Sequence, residues 1–207
     1  NLDKSAVQIV EVMTEDIFGD VAKQRNKTSG YVPSKDIIEA QSCKSYSTYE
    51  VLAARITFQK YIHVLTKPLE NVGRRDRPTA ECKEVSKHLT IGLSRNPTIV
   101  AKDVVEYSLD LINKHIDERT GYEDLWIGYA VDLLNMALKR RIITSKTVEH
   151  RNLLDRCVKD LVHCCQKCKS NYVLSASLKC LSSMITWDLP AIKAAVQDIL
   201  DQIFRML

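Results

Sequence analysis

The chain has 207 residues, 45% hydrophobic and 27% charged, ordinary values for a soluble globular protein. Its 30 basic and 26 acidic side chains leave a net charge of +4, weaker than the basic stripe of a dedicated nucleic-acid-binding domain. No window approaches the roughly 18–20 uninterrupted apolar residues of a membrane span, and no signal-like apolar run is present. Seven Cys, an odd count without a secretory signal, predict reduced thiols of the cytosol or nucleus.

In chain order, Leu2 to about Asn26 reads as a helix striped by Ala6, Ile9, Val10, Met13, Ile17 and Val21, although Gly19 weakens its last turns by about 1 kcal/mol relative to Ala. Residues 26–46 form a polar connector. Ser47-Thr48-Tyr49-Glu50 has the form of a capping box. The helix it opens carries Val51, Leu52, Ile56, Ile62 and Leu65 and is expected to end before Pro68. Asn71 to Pro78 reads as a basic turn. A helix from about Thr79 uses Cys82, Val85, Leu89 and Leu93. Asn96-Pro97 has the cap-and-first-turn signature of another helix start, and Val100, Val104, Tyr107, Leu111 and His115 run along that helix.

Glu118 to Tyr122 reads as a turn. Leu125, Trp126, Tyr129, Leu133 and Met136 stripe a helix ending at Lys139-Arg140-Arg141, where cations complement the negative end of the helix dipole. Thr144 or Ser145 is expected to cap a helix striped by Val148, Leu154, Cys157, Val158, Leu161, Cys165 and Cys168. Ser170 to Leu207 closes the chain as a hairpin turning at Trp187-Asp188-Leu189-Pro190. Its first helix offers Leu174, Leu178, Leu181 and Ile185. Its second offers Ile192, Ala195, Val196, Ile199, Leu200, Ile203, Phe204 and Leu207, one continuous stripe at period 3.6. A hairpin apolar on both helices cannot bury those faces alone and has to stack on neighbours.

The pattern predicts an all-α fold of about eight helices, an α-solenoid of antiparallel helix pairs. The pair length is near the roughly 40–47 residues of HEAT and armadillo units. Residues 1–207 read as one stretch of such repeats, interrupted by the connector at 26–46. The abrupt start without Met and the uncapped end at Leu207 predict a fragment of a longer chain.

Chemistry-bearing residues are sparse. Cys165 and Cys168 have C-x-x-C spacing, with Cys157, Cys164 and Cys180 near in sequence. A structural zinc site wants two such pairs, and there is only one, so buried thiols packing as small hydrophobes are the expected reading, with metal or redox chemistry as the rival. No metal site and no cofactor is predicted. The five His are scattered, no phosphate-binding glycine loop is present, and no nucleophile elbow is found. Glu15-Asp16 and Glu123-Asp124 read as solvated helix-end charges, and Trp126 and Trp187 as core. No catalytic constellation emerges, which predicts a protein that is not an enzyme and has no small-molecule substrate. Arg74, Arg75 and Arg77 on one loop, and Lys139, Arg140 and Arg141 at one helix end, are the candidate RNA-binding residues. Loops of a solenoid align along an edge and can meet phosphate together; solvated surface charge is the alternative reading.

Three segments carry a family resemblance: Met13-Thr14-Glu15-Asp16-Ile17-Phe18-Gly19-Asp20, then Glu39 through Ala53, then Cys180-Leu181-Ser182-Ser183-Met184-Ile185-Thr186-Trp187-Asp188-Leu189-Pro190. Together they resemble the DRIM (down-regulated in metastasis) family, the very large HEAT-repeat component of the small-subunit processome. That resemblance implies a nucleolar, non-catalytic scaffold in pre-rRNA processing. Its implied partners are pre-ribosomal RNA, small nucleolar ribonucleoprotein and other processome proteins. The rival expectation is a helical-repeat adaptor that binds protein only.

Overall fold

The computed structural model describes residues 2–20, 22, 43–73, 80–117, 123–146 and 151–206. Among them every regular element is a helix and no strand occurs. The nine helices are α1 (Leu2–Phe18), α2 (Ser45–Ala53), α3 (Phe58–Gly73), α4 (Ala80–Leu93), α5 (Ala101–His115), α6 (Glu123–Lys139), α7 (Arg151–Lys167), α8 (Asn171–Met184) and α9 (Pro190–Met206). They form two compact units, Asn1–Thr98 and Ile99–Leu207. The expected connector lies almost wholly outside the described residues, as do Val21, Val148 and the turn at 118–122. None of the helices is long and apolar enough to cross a membrane.

In the first unit α1 lies beside α3, and α2 beside α4. The predicted stripe of α1 is buried at Ala6, Val10, Met13 and Ile17. α1 ends at Phe18 and the chain bends at Gly19, whose N–H still donates to Glu15 O at 2.9 Å; Asp20 and Ala22 are again helical, and residues 23–26 of the expected helix lie outside the described residues.

The expected capping box does not form. Ser47 lies inside α2, whose cap residue Lys44 has helical dihedrals and offers no side-chain bond. A carboxylate from another helix takes over: Asp16 of α1 accepts from the Ser45 hydroxyl at 2.6 Å and the Cys43 thiol at 3.0 Å. A negative charge suits a helix start whatever part of the chain supplies it. Asp16 is therefore a tie between helices rather than the solvated charge expected. Glu50 faces α4 instead, accepting from Arg95 at 2.6 Å and meeting His88 Nδ1 at 3.1 Å.

The single helix expected from Ser47 to Pro68 is two. It breaks after Ala53 and restarts at Phe58. Three polar residues from distant positions hold the break. The Asn96 amide donates to Ala53 O at 2.7 Å and Ile56 O at 2.8 Å. The Thr98 hydroxyl accepts from the Phe58 N–H at 3.0 Å. Asp3 accepts from both the N–H and the hydroxyl of Thr57. Asn96 is thus no helix cap; α5 starts at Ala101, with Val100 in the cap position. α3 also runs through Pro68 to Gly73. An interior Pro costs about 3 kcal/mol, but Ile62, Leu65 and Leu69 are at most 1% exposed. Burying such side chains is worth about 1.5–3 kcal/mol each, enough to carry the helix past it.

The second unit is a two-layered stack. α5, α7 and α9 lie side by side in one layer, α6 and α8 in the other. Within the layers Asn113 of α5 donates to Asp160 of α7, Asp155 of α7 accepts from the Ala191 N–H of α9, and Asn135 of α6 donates to Ala176 O of α8. These partners are 47, 36 and 41 residues apart, the repeat distance expected of stacked helix pairs. Trp126 is 1% exposed, stacked on His115 at 5.5 Å and edge-on to Tyr129 at 6.3 Å. The stripes of α5, α6 and α7 are buried as expected, apart from exposed Val100 ahead of α5 and half-exposed Cys168 beyond α7.

The closing hairpin forms with Ser170 capping α8 and Pro190 opening α9. The buried face of α8 is turned from the expected one. Val173, Ala176, Ser177, Cys180, Leu181 and Met184 are buried, while Leu174 and Leu178 sit at its margin and Ile185 is exposed. Small residues let α8 approach α6 closely. On α9, Ile192 and Ile199 are buried, but Val196, Leu200 and Phe204 are 42, 41 and 70% exposed.

Candidate nucleic-acid interface

Arg74, Arg75 and Arg77 lie outside the described residues. The other predicted cluster is fully placed. Lys139 is the last residue of α6, and Arg140 and Arg141 follow it, all three exposed. The local geometry explains why the helix stops there. The Ile142 N–H reaches back to Ala137 O at 2.9 Å and the Arg141 N–H to Leu138 O at 3.0 Å, the paired bonds of a Schellman ending. That ending requires a left-handed residue, and Arg141 supplies it with φ 57°.

Glycine occupies that position at no steric cost, whereas an L side chain pays about 1–2 kcal/mol. Arg141→Gly is therefore expected to stabilise the second unit by about 0.5–1 kcal/mol in urea denaturation. The gain is trimmed by the extra freedom Gly gives the unfolded chain. The guanidinium at 141 is not there for the sake of the turn.

The structure adds cations that no local run announces. α6 and α8 lie side by side, their ends on the edge where α7 and α9 begin. Arg151 opens α7 and Lys193 lies in the first turn of α9. Both reach Asp188, Lys193 at 2.6 Å and Arg151 at 3.6 Å. The hydrogen bond from Lys193, then the charges of Lys193 and Arg151, hold the Asp188 carboxyl below the usual carboxylate range. On α8, Lys179 is exposed. Its charge and that of Lys139 both act on Asp132, whose carboxyl is raised by burial and partly restored by a hydrogen bond from the Tyr172 hydroxyl. The signal for this grouping is the repeat distance itself, which only the stack makes readable.

The cysteine group falls where the packing reading put it. Cys157, Cys164, Cys165 and Cys180 are buried between the layers, and Cys168 is half-exposed just beyond α7. Burial pushes the Cys157 and Cys165 thiols up to about 12. A hydrogen bond with Cys168 together with burial drives Cys164 upward, and burial does the same for Cys180. Thiolates, not thiols, react, so iodoacetamide at pH 8 is expected to modify Cys43 and Cys168 first and the buried thiols only after unfolding. In the unfolded chain these thiols ionise near pH ~8.5, whereas Cys157 and Cys165 in the folded chain do so only at about 12. Stability is therefore full below about pH 8.5 and falls above it, by about 1.4 kcal/mol per pH unit for each such thiol. Urea midpoints at pH 8 and 9.5 measure this.

The family model of the U3 small nucleolar RNA-associated protein 20 domain (UTP20) matches residues 1–112. That span covers the first unit and most of α5. Among curated proteins none matches. With more than half its length inside that match, and stacked helix pairs throughout its described residues, the chain belongs to the U3 small nucleolar RNA-associated protein 20 domain family.

Proposed function

We propose that the chain is a non-catalytic scaffold segment of the small-subunit processome, acting in the nucleolus during maturation of the small ribosomal subunit. In this reading it holds pre-ribosomal RNA and assembly factors along stacked helix pairs. The observation that carries it is the family match over residues 1–112, whose family works in small-subunit ribosome biogenesis. The finer resemblance to the DRIM protein in the segments at 13–20, 39–53 and 180–190 points the same way. Stacked repeats supply extended edges suited to long partners rather than a closed reaction chamber. The residues assigned to RNA are Lys139, Arg140 and Arg141, with Arg74, Arg75 and Arg77 as a second group.

The test is retrieval of RNA with the tagged chain from nuclear extract. Enrichment of U3 small nucleolar RNA over a spliceosomal control is expected. Equal recovery of both would reject RNA association and leave the protein-only adaptor. That second reading has its own support in Val196, Leu200 and Phe204, which expose an apolar line on α9.

A further inference from the structure

We infer that the edge of the second unit where α6 and α8 end and α7 and α9 begin is a binding surface for the RNA phosphate backbone, built from Lys139, Arg140, Arg141, Arg151, Lys179 and Lys193. This rests on the proposed RNA association and assigns it to one surface.

Three observations carry it. The first is that the stack pairs cations across the repeat distance. Two parallel helices bring Lys139 and Lys179 together, and the turn before α9 brings Arg151 and Lys193 onto Asp188. The second is that the cations sit where helices do not want them. Asp and Glu are favoured in a first turn and Lys and Arg are not, yet α7 and α9 each open without an acid and with a cation. Arg141 likewise occupies a left-handed position that disfavours any side chain. The helix dipole accounts for neither Arg151 nor Lys193, whose local partner is Asp188, and the turn at 141 does not call for a side chain. The third is that, among the described residues, the carboxylates of this edge each already have a partner. Asp188 holds Lys193 and Arg151, Asp155 accepts from the Ala191 N–H, and Asp132 accepts from Tyr172. One carboxylate shared by two cations leaves net positive charge at that point.

Each pair is carried by neighbouring helices, and the axes of packed helices lie about 8–10 Å apart. A polyanion with regularly spaced charges meets such pairs. Backbone phosphates fit without base contacts, so binding is expected to be salt-dependent and indifferent to sequence.

The experiment is fluorescence anisotropy of the 207-residue chain with a labelled 20-nucleotide single-stranded RNA of arbitrary sequence, from 50 to 300 mM KCl. A steep slope of log affinity on log salt is expected. Lys139→Ala with Arg140→Ala and Arg141→Ala is expected to reduce that slope by about 2, at about 0.7 for each phosphate no longer neutralised, and to weaken binding at 100 mM salt at least tenfold. Arg140→Lys with Arg141→Lys keeps the charges and is expected to keep the slope. Asp188→Asn removes a carboxylate that bridges two of the cations and is expected to tighten binding about threefold. A merely structural role for Asp188 would give no gain. All these side chains are exposed, and matching thermal melts confirm that each variant folds. A steep slope unchanged by the triple variant and by Asp188→Asn would overturn this surface while leaving RNA association standing elsewhere, with Arg74, Arg75 and Arg77 next to be changed. No RNA binding at 50 mM KCl, together with salt-dependent binding of poly-glutamate, would overturn both the surface and the RNA half of the proposed function.

Discussion

Gly92→Ala is expected to destabilise the first unit by about 2 kcal/mol, although Ala is the better helix former. Gly92 lies in α4 against α2. A methyl group built there would sit 2.2 Å from Glu50 O, 2.9 Å from Glu50 C and 2.8 Å from the Ala53 methyl. Two of those three atoms are backbone, so no rotamer change relieves them, and one helix must move away from the other by close to an ångström. Overpacking of that kind costs about 1–3 kcal/mol and at times more, against a propensity gain of at most about 1 kcal/mol. Separation of the helices also pulls at the bonds from Glu50 to Arg95 and His88. Gly92→Leu is expected to leave the unit unfolded.

Gly128 in α6 supplies the opposite sign. The nearest atoms to a methyl there would be those of the Tyr172 ring, at 3.4 Å, and the Val173 side chain, at 3.9 Å, ordinary van der Waals contact that requires nothing to move. Gly128→Ala is accordingly expected to stabilise the second unit by about 0.5–1 kcal/mol. Urea denaturation of both variants tests the argument. A stabilised Gly92→Ala would mean that α2 and α4 are not held this closely.

Much of the fold is legible in the sequence because helices with large apolar residues at period 3.6 announce their buried face. Spacing alone places Val104, Leu111, Leu133, Leu154 and Leu161 on the core side, and all are buried. Spacing misleads where small or polar residues decide the packing. It turns α8 toward Leu174 and Leu178 because they are the most apolar. The close approach to α6 instead selects Ala176, Ser177 and Cys180, over which the Asn135 amide can reach Ala176 O. A local signature with a distant partner misleads as well. Ser47-Thr48-Tyr49-Glu50 has the letters of a capping box, but Glu50 is held by Arg95, 45 residues away, and Asp16 supplies the charge at the start of α2.

The candidate site divides the same way. Lys139-Arg140-Arg141 is a run, visible at once. Arg151, Lys179 and Lys193 are single cations in unremarkable surroundings until stacking sets Arg151 beside Asp188, 37 residues on. In a repeat protein an edge is assembled at the repeat distance. Taken one helix at a time, its members look like solvated charge.

Asn96→Ala is expected to cost the first unit about 3 kcal/mol, more than its modest size suggests. Asn96 is 5% exposed and serves several groups at once. Its amide donates to Ala53 O and Ile56 O, and its carbonyl accepts from the Thr98 N–H at 2.8 Å and hydroxyl at 2.7 Å. A typical bond contributes about 1 kcal/mol net, but a partner left buried and unsatisfied costs about 1–3 kcal/mol. Ala would strand the carbonyl that closes α2 and release the Thr98 hydroxyl that receives the first N–H of α3. Asn96→Asp keeps the shape and the acceptor but turns an oxygen toward two carbonyl oxygens. At pH 7 it is expected to cost at least as much as Ala. Burial beside those carbonyls raises the carboxyl of that variant above its unfolded value. Its stability relative to the parent should therefore recover as pH falls from 7 to 4, where a protonated acid can donate one of the two bonds. Urea midpoints at the two pH values decide the matter. If Asn96→Ala shifts the midpoint no more than an exposed substitution does, or if Asn96→Asp shows no recovery at low pH, the α2–α3 break is held by its apolar neighbours and not by Asn96.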